Sequence, residues 1–224
     1  MTQPPIAIVD STGKLIGVGP GTTDITAAYN GLVATQAVEV IGVPPLPTAL
    51  IHRYTLNDGT ANDSIGTNNG TFYDASGQSS ISAIQVNLAG LSGDYVDPGA
   101  DLITTNALAS GAFSLEAWCT ISPVNGSWAR IFDFGAINGL AGGNYIFLTS
   151  NNGLNSGSAR LAVSDVSPGY NNETGFSFNN LLGQTHAHVV AVFNPTPGRQ
   201  FLGLYLNGTL IASVPTGNKV DRVH

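Results

Sequence analysis

The stretch Phe113-Ser114-Leu115-Glu116-Ala117-Trp118-Cys119-Thr120-Ile121 decides the fold class. Its odd positions are all apolar, the two-residue period of a strand. Phe113, Leu115, Ala117, Cys119 and Ile121 are therefore predicted to face an interior, while Glu116 and Trp118 share the opposite face. The period returns further along the chain. Leu202, Leu204 and Leu206 point one way and Tyr205 the other, up to an Asn207-Gly208 turn that leads into Leu210-Ile211-Ala212-Ser213-Val214. From Leu50 onward such short runs recur between Gly, Asn, Asp and Pro, and no segment of about ten residues keeps a helical period. Many short strands with this punctuation predict an all-β antiparallel sandwich or jelly roll.

The composition agrees. Charged residues are 9% of the 224, against about 25% in an average domain. With 28 Gly and 12 Pro the chain is rich in turn formers, yet 42% of it is hydrophobic, enough to bury a core, so disorder is excluded. A formal charge of −7 offers no basic stripe for phosphates, which argues against nucleic acid and anionic lipid as partners. No run approaches the roughly 20 apolar residues of a membrane span, so no membrane insertion is expected. The N-terminal residues lack a charged region followed by an apolar one, so any export signal lies outside this sequence. The single cysteine, Cys119, reads as a small buried hydrophobe. Sequons at Asn62, Asn69, Asn125, Asn172 and Asn207 read as loop chemistry in a chain rich in Asn, Ser and Thr.

Residues 6–41 are punctuated differently: IAIVD, Ser11-Thr12-Gly13, KLIGVG, Pro20-Gly21, TDITAAY, Asn30-Gly31, LVATQAVEVI. This stretch resembles the C-terminal half of a group 2 bacterial Ig-like domain. Three prolines among Pro44, Pro45 and Pro47 then predict an extended spacer. The expected domains are a partial Ig-like unit at 1–42, a linker at 43–49 and a second domain at 50–224. In the latter, LIHRYTLNDGTANDSIGTNNGTF, GDYVDPG, FSLEAWCTI, WARIFDFG, NYIFLTS, AHVVAVFN and LGLYLNGTLIA resemble, in order and spacing, the strands of bacterial laminin-G-like, concanavalin A-like jelly rolls. That pattern usually continues to a strand like "IDEFRIYN". The resemblance thus implies a jelly roll lacking its last strand or two, with neither Met1 nor His224 a natural end.

Candidate chemistry is sparse. Glycosidases of this architecture set close carboxylates on one strand. Here the only glutamates are Glu39, Glu116 and Glu173, and Glu116 has Trp118 two residues on, so it is expected to bond to backbone or a neighbouring strand. His186 and His188, two apart, are expected to reach one strand face as a zinc pair would, but no third ligand is near and a structural reading leads. His52 and His224, at a strand start and the terminus, complete no catalytic triad. Trp128, Arg130 and Asp133 offer a sugar-stacking aromatic beside a charged pair, with packing as the leading reading. Asn57–Asp63 gathers oxygen ligands. The resemblance adds that related domains often bind calcium at a sandwich edge, which makes Asp58 and Asp63 the candidate calcium ligands, with turn chemistry the bland alternative.

The resulting expectation is a non-catalytic extracellular or cell-surface module, binding a glycan or an extracellular protein in adhesion and joined to other domains of its parent chain. The alternative is a spacer or accessory domain of a secreted enzyme.

Overall fold

The computed structural model describes residues 5–18, 21–40, 50–99, 102–103, 111–138, 141–153, 157–179, 181–196, 198, 200–218 and 220. The chain divides into two compact units, Met1–Ala49 and Leu50–His224. The linker expected at 43–49 lies outside the described residues.

In the first unit, β1 (Ala7–Val9) pairs antiparallel with β2 (Leu15–Gly17), and β3 (Gly21–Tyr29) with β4 (Leu32–Val40). Asp10 shapes the first turn by accepting from Thr12 N, Thr12 Oγ1 and Lys14 N at 2.8, 2.6 and 3.0 Å. The second hairpin turns on Asn30 and Gly31 with φ of 47° and 79°, the two positive values that a two-residue turn of this hand requires. None of the described residues of this unit is buried, and Tyr29, Leu32 and Val33 are exposed. The two hairpins touch, Gly17 lying against Val40 and Gly21 against Ile6, but four short strands of this kind leave no buried interior.

The second unit is the sandwich. Two small ribbons come first: β5 (Thr71–Asp74) on β8 (Asp94–Asp97), and β6 (Ser80–Ile81) on β7 (Val86–Asn87). Then follow β9 (Phe113–Cys119), β10 (Arg130–Asn138), β11 (Ala141–Thr149), β12 (Ala159–Ser164), β13 (Thr174–Phe178), β14 (Ala187–Asn194), β15 (Phe201–Leu206) and β16 (Thr209–Val214). They form two four-stranded sheets, ordered β10-β11-β12-β13 and β16-β15-β14-β9, with every neighbour pair antiparallel. One short 3-10 turn, Gly169–Asn172, joins β12 to β13.

The sheets meet through one core. Ile146 and Leu148 of β11 and Leu161 and Val163 of β12 pack in the same cluster as Val189, Ala191 and Phe193 of β14 and Leu202 and Leu204 of β15, all essentially without exposure. Each of the Val, Leu, Ile and Phe side chains among them contributes roughly 1.5–3 kcal/mol by leaving water. The alternation read from the sequence holds: β9 runs intermediate, exposed, intermediate along its length, with Phe113, Leu115, Ala117 and Cys119 against the core and Ile121 buried just beyond. Leu202, Leu204 and Leu206 are buried, and Asn207 and Gly208 close the hairpin with φ of 51° and 78°. Burial pushes the Cys119 thiol pKa up.

The segment before β5 is fastened by polar groups. Tyr54 bridges to Asp63, and its hydroxyl donates to Asn68 O at 2.7 Å and Pro98 O at 2.9 Å. Burial, then the charges of Asp63 and Asp97, push that phenol up to about 12.

Candidate functional site

Cross-strand partners share a face, so the registers identify the outer surface of the β10–β13 sheet. Arg130 opposes Thr149, Asp133 opposes Phe147 and Gly135 opposes Tyr145; beyond them Arg160 opposes Ser177 and Ala162 opposes Gly175. Small residues in the middle of this surface leave a depression. A Cβ on Gly135 would lie 2.7 Å from Tyr145 Cβ, and one on Gly142 would lie 3.3 Å from the Tyr145 ring. The result is a cleft of about 570 Å³ walled by Trp128, Arg130, Asp133, Tyr145, Phe147, Tyr170 and Glu173.

Its aromatic side chains are held in place. Trp128 sits at φ 67°, its backbone N–H donating to Asn151 O at 2.6 Å, and its ring meets Phe147 edge-on at 6.3 Å. The Arg130 guanidinium lies 4.1 Å over the Phe147 ring and 5.4 Å from the Trp128 ring. Arg130 also donates to Asp133 Oδ2 at 2.9 Å and to Trp128 O at 3.2 Å. Tyr145 packs on Phe147 at 5.4 Å and donates its hydroxyl to Glu173 Oε2 at 2.6 Å. Burial and then that bond to Glu173 raise the Tyr145 phenol well above its ordinary value, so it stays a donor. Arg160 donates from Nε to Glu173 Oε1 at 2.8 Å and from Nη2 to the same oxygen. The ring of Tyr170, carried by the 3-10 turn, is mostly exposed at one rim. Every cation and carboxylate in the cleft is thus paired within it, leaving flat aromatic surface beside fixed polar atoms.

Trp128, Arg130 and Asp133 were legible as a group in the sequence, and they form one wall. Tyr145, Phe147, Arg160, Tyr170 and Glu173 come from four other segments and were missed; the available signal was aromatic and charged residues on the outward parity of β11 and β12.

Other candidates lie elsewhere. Glu116 bonds to the neighbouring strand, through His188 Nε2 at 2.9 Å, as expected. The expectation that His186 and His188 share a strand face is corrected: β14 starts at Ala187, and His186 precedes it with φ 51°, outside the alternation. His52 does not start a strand; its Nδ1 meets Asp63 Oδ2 at 2.6 Å. Asp63 Oδ1 accepts from Arg53 N, Ile65 N and Gly66 N at 3.0, 3.1 and 2.9 Å. Asp58 lies in its own turn, accepting from Thr60 N at 3.0 Å and Thr60 Oγ1 at 2.7 Å. Those bonds, the hydroxyl's first, hold its carboxyl below the usual value. Among the described residues no three His, Cys, Asp or Glu side chains gather as a metal would require.

Two antiparallel sheets around one core, with an aromatic cleft on an outer face, define a sandwich of the lectin and glucanase type. The chain belongs to the concanavalin A-like lectin/glucanases superfamily, whose laminin-G-type sequence pattern matches residues 92–223. No curated protein and no solved structure gives a match. The superfamily supports a binding module in coarse terms. Among the described residues no helix is long and apolar enough to cross a membrane.

Proposed function

We propose that the second unit is a non-catalytic glycan-binding module whose ligand lies in the cleft between Trp128 and Tyr170. The observation that carries this reading is the cleft's make-up: exposed aromatic faces, which stack on the apolar faces of sugar rings, beside carboxylates and guanidinium groups already oriented for hydroxyls. Pre-paired charges lose little freedom on binding, which favours neutral glycans over anionic ones.

Asp133 and Glu173 do place two carboxylates in one cleft, which gives a hydrolytic reading a foothold. Glu173 is nevertheless held as an ionised acceptor by Arg160 on Oε1 and Tyr145 on Oε2, which suits a partner for sugar hydroxyls better than a proton donor to a glycosidic oxygen. A glycan array probed with the whole chain tests the proposal. Binding to at least one glycan, weakened about tenfold or more by Trp128→Ala, is the expected result, since a central aromatic anchor supplies over 1 kcal/mol. A blank array overturns it, and hydrolysis of a bound glycan that Glu173→Gln abolishes would replace binding with catalysis.

Within the same proposal, residues 6–41 act as an Ig-like spacer at an extracellular or cell-surface location, and the module works beside other domains in adhesion or as the accessory of a secreted enzyme. Calcium at Asp58 and Asp63 is a further part of it. A cation bound by the native state alone must raise the melting temperature. Melting in millimolar calcium and in chelator is expected to differ, with the difference lost in the Asp58→Ala/Asp63→Ala variant; equal midpoints remove calcium from the proposal.

A further inference from the structure

The other sheet carries a second feature on its own outer face. Trp118 of β9 is 69% exposed, an unusual state for a residue that is highly buried on average. It is not loose. His188, its partner across the β9–β14 pair, stacks on it with ring centroids 4.4 Å apart and planes 19° from parallel. His188 is fixed in turn: Nε2 meets Glu116 Oε1 at 2.9 Å, and its backbone N–H donates to Asn207 Oδ1 at 2.9 Å. The imidazole therefore covers one indole face, and the exposure belongs to the rest of the ring. Glu116 is 60% exposed beside it, and its contact with His188 is made through Oε1. The next row on this face, Glu116, Val190 and Tyr205, is set by the registers of three adjacent strands.

Stability does not require an indole here, because cross-strand pairing with His188 contributes only roughly 0.2–1 kcal/mol. The exposed indole offers a flat apolar face of about the size of one sugar ring. An aromatic face binds the C–H face of a pyranose, and a carboxylate in reach accepts its hydroxyls. The chain's charge of −7 disfavours anionic sugars. The face has no walls, which suits a flat ribbon of equatorially linked residues.

We infer that Trp118, Glu116 and His188 form a second glycan site, for a neutral β-linked pyranose chain, separate from the cleft. The two sheets pack through their inner faces, so the two sites look outward from opposite sides of the sandwich. One module can then hold two polysaccharide chains at once and cross-link them.

The two tryptophans of the chain, Trp118 and Trp128, stand one in each site, so each site has its own reporter. The whole chain carrying Trp128→Phe, with Trp118 as sole indole, is titrated to millimolar concentration with cellohexaose, β-1,4-mannohexaose and β-1,4-xylohexaose. A saturable change in emission is expected with at least one, weakened about tenfold by Glu116→Ala, the loss of one anchoring contact. Trp118→Phe, titrated in parallel, reports the cleft alone. No saturable change at Trp118 with any of the three overturns the second site whatever Trp128 does. A response confined to Trp118 instead keeps it and removes neutral β-linked chains from the cleft. Trp118→Ala is also expected to abolish precipitation of a neutral polysaccharide while leaving the Trp128 titration unchanged.

Discussion

Asp63→Ala is expected to lower the unfolding free energy of the second unit by about 4 kcal/mol or more and to flatten its acid sensitivity. The side chain has no exposure, and its Oδ1 is the common acceptor for Arg53, Ile65 and Gly66 N–H, while Oδ2 takes His52. Removing it leaves three backbone donors and an imidazole without their partner, each costing about 1–3 kcal/mol where water does not reach. Burial raises the pKa of this carboxyl, but the bonds from Arg53, His52, Gly66 and Ile65 outweigh it and hold the group well below the usual carboxylate range. A folded value below the unfolded one, near 4, means that the stabilisation is complete above the unfolded value and lost as pH falls through about 4 and below. Melting followed from pH 6 to pH 2 should show the native chain losing stability steeply, and the variant changing less. Gly66→Ala should reproduce part of the loss at neutral pH, because a Cβ there would lie 2.4 Å from Asp63 Oδ2. Equal melting of native chain and Asp63→Ala at pH 7 would show that the loop is not fastened through this residue.

The sandwich was legible because its signal is local. Alternation in β9 and β15 is written in consecutive residues, and Asn-Gly names its own turn, so strand faces and hairpins followed from the sequence. The superfamily match then rests on the stretch that carries those strands. What was not legible depends on pairing over distance. Glu173 lies 28 positions from Tyr145 and 13 from Arg160, and only the β11–β12–β13 registers bring the three together. The cleft is also made by absent side chains, and Gly135 or Gly142 reads in sequence as a turn former rather than as the lining of a depression. Asp63 shows a related ambiguity: a carboxylate among Asn, Asp and Gly reads alike in sequence whether it serves a cation or backbone N–H groups, and only the folded chain shows that three backbone N–H groups and His52 meet it. His186 fell outside the alternation because its own left-handed backbone makes the strand start one position later than the pattern implied.

Glu173→Ala is expected to cost about 2 kcal/mol and to abolish ligand binding in the cleft. Its carboxylate is 17% exposed and the Arg160 side chain 22%, so the pair sits between a surface bridge, worth about 0–1 kcal/mol, and a buried one, whose broken half costs roughly 3–5. The loss is greater than the bridge itself contributes, because Arg160 then keeps a charge with no carboxylate and the Tyr145 hydroxyl loses its acceptor. That asymmetry gives the test its form. Arg160→Ala in the Glu173→Ala background removes the stranded charge, so the double variant should be more stable than the sum of the two single losses, by about 1 kcal/mol or more in a double-mutant cycle. Binding should not return with stability. Tyr145 forms the wall between Gly135 and the 3-10 turn, where a Cβ on Gly169 would fall 2.0 Å from its ring, and without Glu173 its hydroxyl is no longer fixed there. Tyr145→Phe separates the two contributions: it keeps the ring and the Arg160–Glu173 pair and should cost under about 1.5 kcal/mol, the net worth of one hydrogen bond, while weakening glycan binding. Additive losses in the cycle would mean that Arg160 and Glu173 act independently, and glycan binding retained by Glu173→Ala would show that the charged wall does not shape the cleft.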